Sequence, residues 1–507
     1  MAPACRFGTE ATLPRGDLVV CPVEEVVQWS CALCKERASG ETWRRGTAIC
    51  ATAACLLVLA CLPAMGQTSA ERPPTVVKRR AQVVPTNEWT KYCASLSMKG
   101  VAADETITST TSEPRLQLLW SRTFSGPIVS APSVANGKVY VGDWAGIEWA
   151  LDSVTGHVVA SADLGHTRRK NASPAVGISS PPLINGSILY VAGGDDGFYA
   201  LDADTLAVRW RRSLGDNSVA GGYYGWCSPV LVGGKLLLGL TSNSDDPFPR
   251  SAITALDPAT GEIEQATYFT EDVINGGVFI PPEGDTDHGK VLVTTSSTHS
   301  FAAGNSFSLV RLDLETLLVE ERWKRTSLSE TRSAEWGSSL TLFTDSTGRQ
   351  LVGAGQKNGN YSAFDRNDLT SGPVWITPIS TRGDVSQNDE GALSTAAFDG
   401  ATLYVGGGRP PDADDPSVLG AVTALSPSNG AILWRHTFDE PVIAPVSYAN
   451  GGVFVVVGKS VVVLDAATGS VLSSFEMKAK GLGGVSIERG RAYVGDQFGT
   501  IYAIRLR

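Results

Sequence analysis

From the 130s to the C-terminal end, apolar and polar residues alternate in short runs that are punctuated in a fixed order. An alternating run is followed by a Gly-containing turn, a second run, and then an aliphatic-Asp-x-x-Thr/Asn-Gly turn into a third. Period-two alternation places one side of each run on a buried face, so these runs predict short strands. The second turn is spelled Leu151-Asp152-Ser153-Val154-Thr155-Gly156 and returns around Leu201-Asp202, Leu256-Asp257, Leu312-Asp313, Phe364-Asp365, Leu425-Ser426 and Leu464-Asp465. Its Asp or Ser side chain accepts from backbone N–H groups two residues on, and Gly tolerates the positive φ, which together specify a tight hairpin. The strand that follows often carries a Trp, as at Trp210, Trp323, Trp375 and Trp434.

An eighth unit is split. Residues 485–507 supply three strands and stop short of the Trp-bearing one, whereas Leu116-Gln117-Leu118-Leu119-Trp120-Ser121 is such a strand standing alone ahead of the first repeat. Pairing the two closes a ring and removes two open sheet edges. The pattern therefore predicts an all-β, eight-bladed β-propeller over residues 115–507, closed by an N-terminal strand pairing with the C-terminal blade.

The N-terminal part differs in kind. Arg44 and Arg45 precede a small, apolar run from Ala48 to Leu62, short for a bilayer span but suited to a signal-peptide core, with cleavage near Gln67. Residues 1–66 are then an extension plus signal peptide, 67–114 a linker and lead-in, and the chain is exported with no transmembrane span after processing. A lipid anchor on Cys61 is the alternative. Seven of the nine cysteines precede the cut, leaving Cys93 and Cys227, which an oxidising compartment would allow to pair.

Composition narrows the partners. A formal net charge of −10 opposes a phosphate-binding surface, so no nucleic acid is expected. Cys31-Ala32-Leu33-Cys34 lacks the following His of a haem attachment site, and no Cys/His spacing suits zinc.

With strand order and turn motif in hand, the repeats resemble those of pyrroloquinoline-quinone (PQQ) propellers, and polyvinyl-alcohol-dehydrogenase-like quinoproteins above all. The resemblance spans residues 88–507 and is strongest at Leu351-Val352-Gly353-Ala354-Gly355-Gln356-Lys357-Asn358-Gly359. It implies that Lys357, beside Gln356, contacts the quinone, a role suited to an ammonium facing a carboxylated, carbonyl-rich ring. It further implies a Ca²⁺ ion that polarises the quinone, with Asp245, Asp246 and Ser297 at the ligand positions, and Phe279 as the stacking platform. Asn305 falls where the family has its catalytic Asp, and Asn is no carboxylate base; Glu335, where the family has an Asp, is the one acid left near the same rim.

Two functions stay open on the sequence. One is a PQQ-dependent alcohol dehydrogenase acting on a small or polymeric alcohol and passing electrons to a separate acceptor. The other is a non-catalytic PQQ-repeat scaffold that binds protein or carbohydrate. Lys357 favours the first, and Asn305 and Ser297 the second.

Overall fold

A computed structural model describes residues 88–102, 116–167, 176–218, 222–242, 251–269, 283–285, 289–295, 307–324, 336–381 and 391–506. Among the described residues every regular element is a strand, and the strands group into eight small antiparallel sheets. The first strands of blades one to eight are Ser133–Ala135, Leu183–Asn185, Val230–Val232, Glu283–Asp285, Thr341–Thr344, Ala397–Phe398, Ser447–Ala449 and Ser486–Glu488, and in blade three Tyr223–Tyr224 pairs the far end of the same second strand. Neighbouring first strands touch from blade eight to blades one and two, from three to four and from five through eight, and they form the inner ring of an eight-bladed β-propeller.

The ring closes as the split eighth unit requires. Leu116–Thr123 lies antiparallel to Thr500–Leu506, with Leu116 opposite Leu506 and Thr123 opposite Thr500. Blade eight thus joins both ends of the described chain, and the outer edge of its C-terminal strand is covered.

The two halves of the repeat signature meet between blades. Asp152 Oδ1 accepts the N–H groups of Val154 and Thr155 and the Thr155 hydroxyl, and the same fork recurs at Asp202, Asp257, Asp313 and Asp465. Donation to the charged form holds the Asp152, Asp257 and Asp313 carboxyls below the usual carboxylate range, and Arg209 first, then Thr205, brings Asp202 to about 2. Leu206 and Leu317 take the positive φ in the turns at Asp202 and Asp313, whereas four of the turns leave a Gly bare for the Trp of the preceding blade. Trp120 lies on Gly156 so closely that a Cβ there would stand 2.5 Å from its ring, and Trp210, Trp375 and Trp434 cover Gly261, Gly430 and Gly469 in the same way. Their indole N–H groups donate to Ser153, Pro258, Pro427 and Ala466 carbonyls.

At the hub, hydroxyls on the inner strands tie each blade to the next. Ser133 donates to Pro182 O, Thr341 to Ala396 O, Ser447 to Val485 O, and Ser486 to Pro132 O, the last of these crossing the closure.

The lead-in has more structure than a linker. Residues 88–102 run along the inner ring and accept backbone hydrogen bonds from five first strands: Trp89 O from Val134, Thr90 O from Ile184, Ser97 O from Leu342, Lys99 O from Phe398 and Gly100 O from Tyr448. Inner strands expose an unpaired edge toward the axis, and this segment satisfies it by strand-like addition. Trp89, Lys91, Cys93 and Met98 are buried in the process. Cys93 and Cys227 are both buried and form no disulfide.

Candidate functional site

The residues that lead into each inner strand repeat a buried, half-buried, buried pattern. In register with Val129 stand Ser179, Trp226, Gly337, Leu393, Ile443 and Leu482 in blades two, three, five, six, seven and eight. Their neighbours on either side, such as Ile128 and Ser130 or Ala392 and Ser394, are fully covered. The preceding residue is covered because it lies over a glycine of the blade before: Ile178 over Gly142, Ala392 over Gly355 and Val442 over Gly406. The middle residue keeps an exposed side, and on the innermost segment that side faces the axis. Only Ser179 is covered, by Trp144 Nε1, which donates to its hydroxyl at 3.0 Å.

These side chains ring one end of the channel, and residues 88–102 fill it further along. Among the described residues, seven blades line a funnel with largely apolar walls, and residues 88–102 occupy its inner end. No charged side chain belongs to the ring among the described residues.

Lys357 sits at the rim of this funnel. It occupies the turn between the second and third strands of blade five, Gln350–Gly355 and Asn360–Asp365, and is half-buried. The turn is held by Gln356, whose carbonyl accepts the N–H of Gly359 at 2.9 Å and that of Ala392 at 2.9 Å. Trp336 pairs with Gln356 as an isolated bridge. The turn therefore abuts ring members Gly337 and Leu393 through their immediate neighbours. Gly391 clasps it from outside: its φ is +91°, and a Cβ would lie 2.5 Å from the Lys357 carbonyl oxygen. Gln356, 1% exposed, stands in register with Asp143 and Asp496, whose carboxylates staple the corresponding turns of blades one and eight.

Of the residues singled out from the sequence, Lys357 and Gln356 are described. Asn305, Glu335, Phe279, Asp245, Asp246 and Ser297 lie outside the described residues. No group of three or more His, Cys, Asp or Glu side chains suited to a metal occurs among the described residues. The ring itself escaped the sequence reading. Its signal is the single half-buried position two residues before each Pro or small residue that enters an inner strand, which only the register across blades reveals.

Comparison with known proteins fits this architecture. A family profile described as outer membrane protein assembly factor BamB, built on the PQQ-type repeat, matches residues 168–368 and 357–472. The chain belongs to the PQQ-repeat propeller family. A polyvinylalcohol dehydrogenase from Pseudomonas sp is 22% identical to this PQQ-repeat protein over 455 aligned residues, covering 76% of the chain and 68% of the relative. The quinohemoprotein alcohol dehydrogenase from Comamonas testosteroni superposes with a TM-score of 0.69 at 17% identity, over 84% of this chain and 81% of that one. BamB from Moraxella catarrhalis superposes with a TM-score of 0.54 at 16% identity, over 77% and 99%. At these identities the solved structures establish the shared fold.

Proposed function

We propose that this PQQ-repeat protein is a quinoprotein-type oxidoreductase that oxidises an alcohol at the mouth of its funnel. The observation that carries the reading is Lys357, set by a glycine-clasped turn against the mouth ring, in a chain related to a polyvinylalcohol dehydrogenase. The described residues fit a flat quinone. Trp226, Leu393 and Ile443 offer apolar walls for its ring, and the Gly337 position leaves room beside them. Lys357 brings a charge and three donors for an anionic or carbonyl edge.

When bound, PQQ with Ca²⁺ supplies the electrophile that accepts hydride from an alcohol carbon. The chain's part is to hold, screen and deprotonate. Lys357 offsets negative charge at the cofactor edge, and the apolar ring excludes water from it. Glu335, the residue before Trp336, is assigned as acceptor of the alcohol O–H proton at its carboxylate, because Asn305 has no basicity to offer. Asp245, Asp246 and Ser297 are the oxygen donors assigned to the cation. Electrons leave to a separate acceptor, and export by the segment around Ala48–Leu62 would put the reaction outside the cytoplasm.

The test is titration of purified protein with PQQ and Ca²⁺, followed by the quinone absorbance band and by dye-linked turnover on primary, secondary and polymeric alcohols. Lys357→Ala is expected to weaken PQQ binding roughly 10- to 100-fold, the range of a charge-assisted hydrogen bond. Wild-type protein that binds no PQQ overturns the reading. The uncharged ring would then favour the second reading, a non-catalytic scaffold for protein or carbohydrate.

A further inference from the structure

Eightfold repetition gives every position seven internal controls. Four residues before the position of Asp152 in the third strand of each blade, the register pairs Gly142 with Glu148, Ala192 with Phe198, Gly239 with Ile253, Thr294 with Leu309, Gly355 with Tyr361, Gly406 with Val422, Val456 with Val461 and Gly495 with Ile501. Seven blades place hydrocarbon or an aromatic ring here, fully buried, and blade one places a carboxylic acid that is also 0% exposed. Neither Glu148 oxygen has a hydrogen-bond partner.

The side chain points into the seam between blades one and two. Glu148 shares its strand face with Ala150, which packs with Tyr140, Ile178, Leu189 and Val191 across that seam. Around Gly142 the fit is tight. A Cβ there would stand 2.9 Å from Glu148 Oε2 and 2.6 Å from Ile178 Cβ. Asp143 is the one charged group that acts on Glu148. Its oxygens already accept from Ile147 N–H at 3.1 Å and Trp149 Nε1 at 3.0 Å, so it brings repulsion and no donor. The strand neighbours of Glu148, Gly142 and Ala162, and the blade-two residues Ile178, Leu189 and Val191 carry no charge.

We propose that Glu148 is a protonated latch: it seals the seam between blades one and two as a neutral acid, and its ionisation loosens that seam beside the funnel mouth. A neutral carboxyl is tolerable in such a pocket, whereas a carboxylate with no donor is not. Burial pushes the Glu148 carboxyl well above the usual carboxylate range, and Asp143 pushes it further. The consequence reaches the mouth through one short segment. Gly177–Ser180 lies on this seam, Ile178 N–H donates to Asp143 O at 2.9 Å, and the next residue is ring member Ser179.

The sign follows from linkage. A folded state that keeps a proton the unfolded chain releases is most stable in acid, below about pH 4.3 where both forms are protonated, and loses that stability as pH rises toward the raised folded value. The experiment is urea unfolding of the full chain from pH 4 to 9 for wild type, Glu148→Gln and Glu148→Leu. Leu already serves this position in blade four, so the variant keeps a folding precedent. The expected result is a ratio of wild-type to Glu148→Leu unfolding constants that grows tenfold per pH unit from about pH 4.5 upward, with Glu148→Gln following the Leu profile. Hydrogen exchange of the Ile178 amide, corrected for intrinsic rate, should quicken as pH rises in wild type and not in either variant. Superimposable pH profiles overturn the proposal, as does a Glu148→Gln profile that keeps the wild-type slope, since the titrating group then lies elsewhere.

Discussion

Removing Trp120 tests the closure at its weakest covalent point, because its strand reaches blade eight from the opposite end of the repeat array. Trp120 is 9% exposed, its ring covers Gly156, and its Nε1 donates to Ser153 O at 3.1 Å. A Trp side chain buries about 200 Å², which at about 25 cal/mol per Å² is worth roughly 5 kcal/mol. The lost hydrogen bond adds about 1 kcal/mol. Its acceptor does not become an orphan, since Tyr493 OH also donates to Ser153 O at 3.1 Å. Partial relaxation of the cavity brings the expectation for Trp120→Ala to about 3–5 kcal/mol. The assay is the urea midpoint with Trp434→Ala as comparator, because Trp434 makes the same dock on Gly469 within a chain-continuous blade. Gly156→Ala supplies a cycle. In wild type the new methyl meets the Trp120 ring, and in the Trp120→Ala background only the strain of φ +68° remains, about 1–2 kcal/mol. A loss under about 1 kcal/mol for Trp120→Ala, or strict additivity of the pair, refutes the view that this dock seals the ring.

Two further outcomes follow from named contacts. Gly391→Ala should displace the Lys357 turn, lowering stability by about 1–3 kcal/mol and weakening PQQ binding together with Lys357→Ala, checked by thermal unfolding and the PQQ titration; unchanged values in both would show that the clasp is slack. Cys93 and Cys227 are buried and form no disulfide, with burial pushing the Cys227 thiol up to about 12. Native protein should therefore resist alkylation at both, take up label at these two positions only after unfolding, and melt at the same temperature with and without reductant.

Much of the ring was legible because its code is local. The alternation, the Asp–Thr–Gly turns and the Trp that often follows them lie within a few residues of one another, and period-two geometry converts them directly into strands and hairpins. Even closure could be read, since Leu116–Ser121 and residues 485–507 are complementary fragments of one unit. Lys357 was singled out by its motif, and the structure adds what holds its turn: Gln356, Ala392 and Gly391 from the loop into the next blade.

What the chain order could not show depends on residues about fifty positions apart being brought into register. The mouth ring of Val129, Trp226, Leu393 and Ile443 consists of ordinary apolar residues until the inner strands set them side by side around one axis. Residues 88–102 read as a lead-in because they carry no repeat, and only the assembled inner edges supply the N–H groups that draw them into the channel. Glu148 looks like a solvated charge in an alternating strand. Burial is a property of the neighbouring blade, and it is Ile178 of the following blade's entry segment, closing over Gly142, that leaves this acid without water.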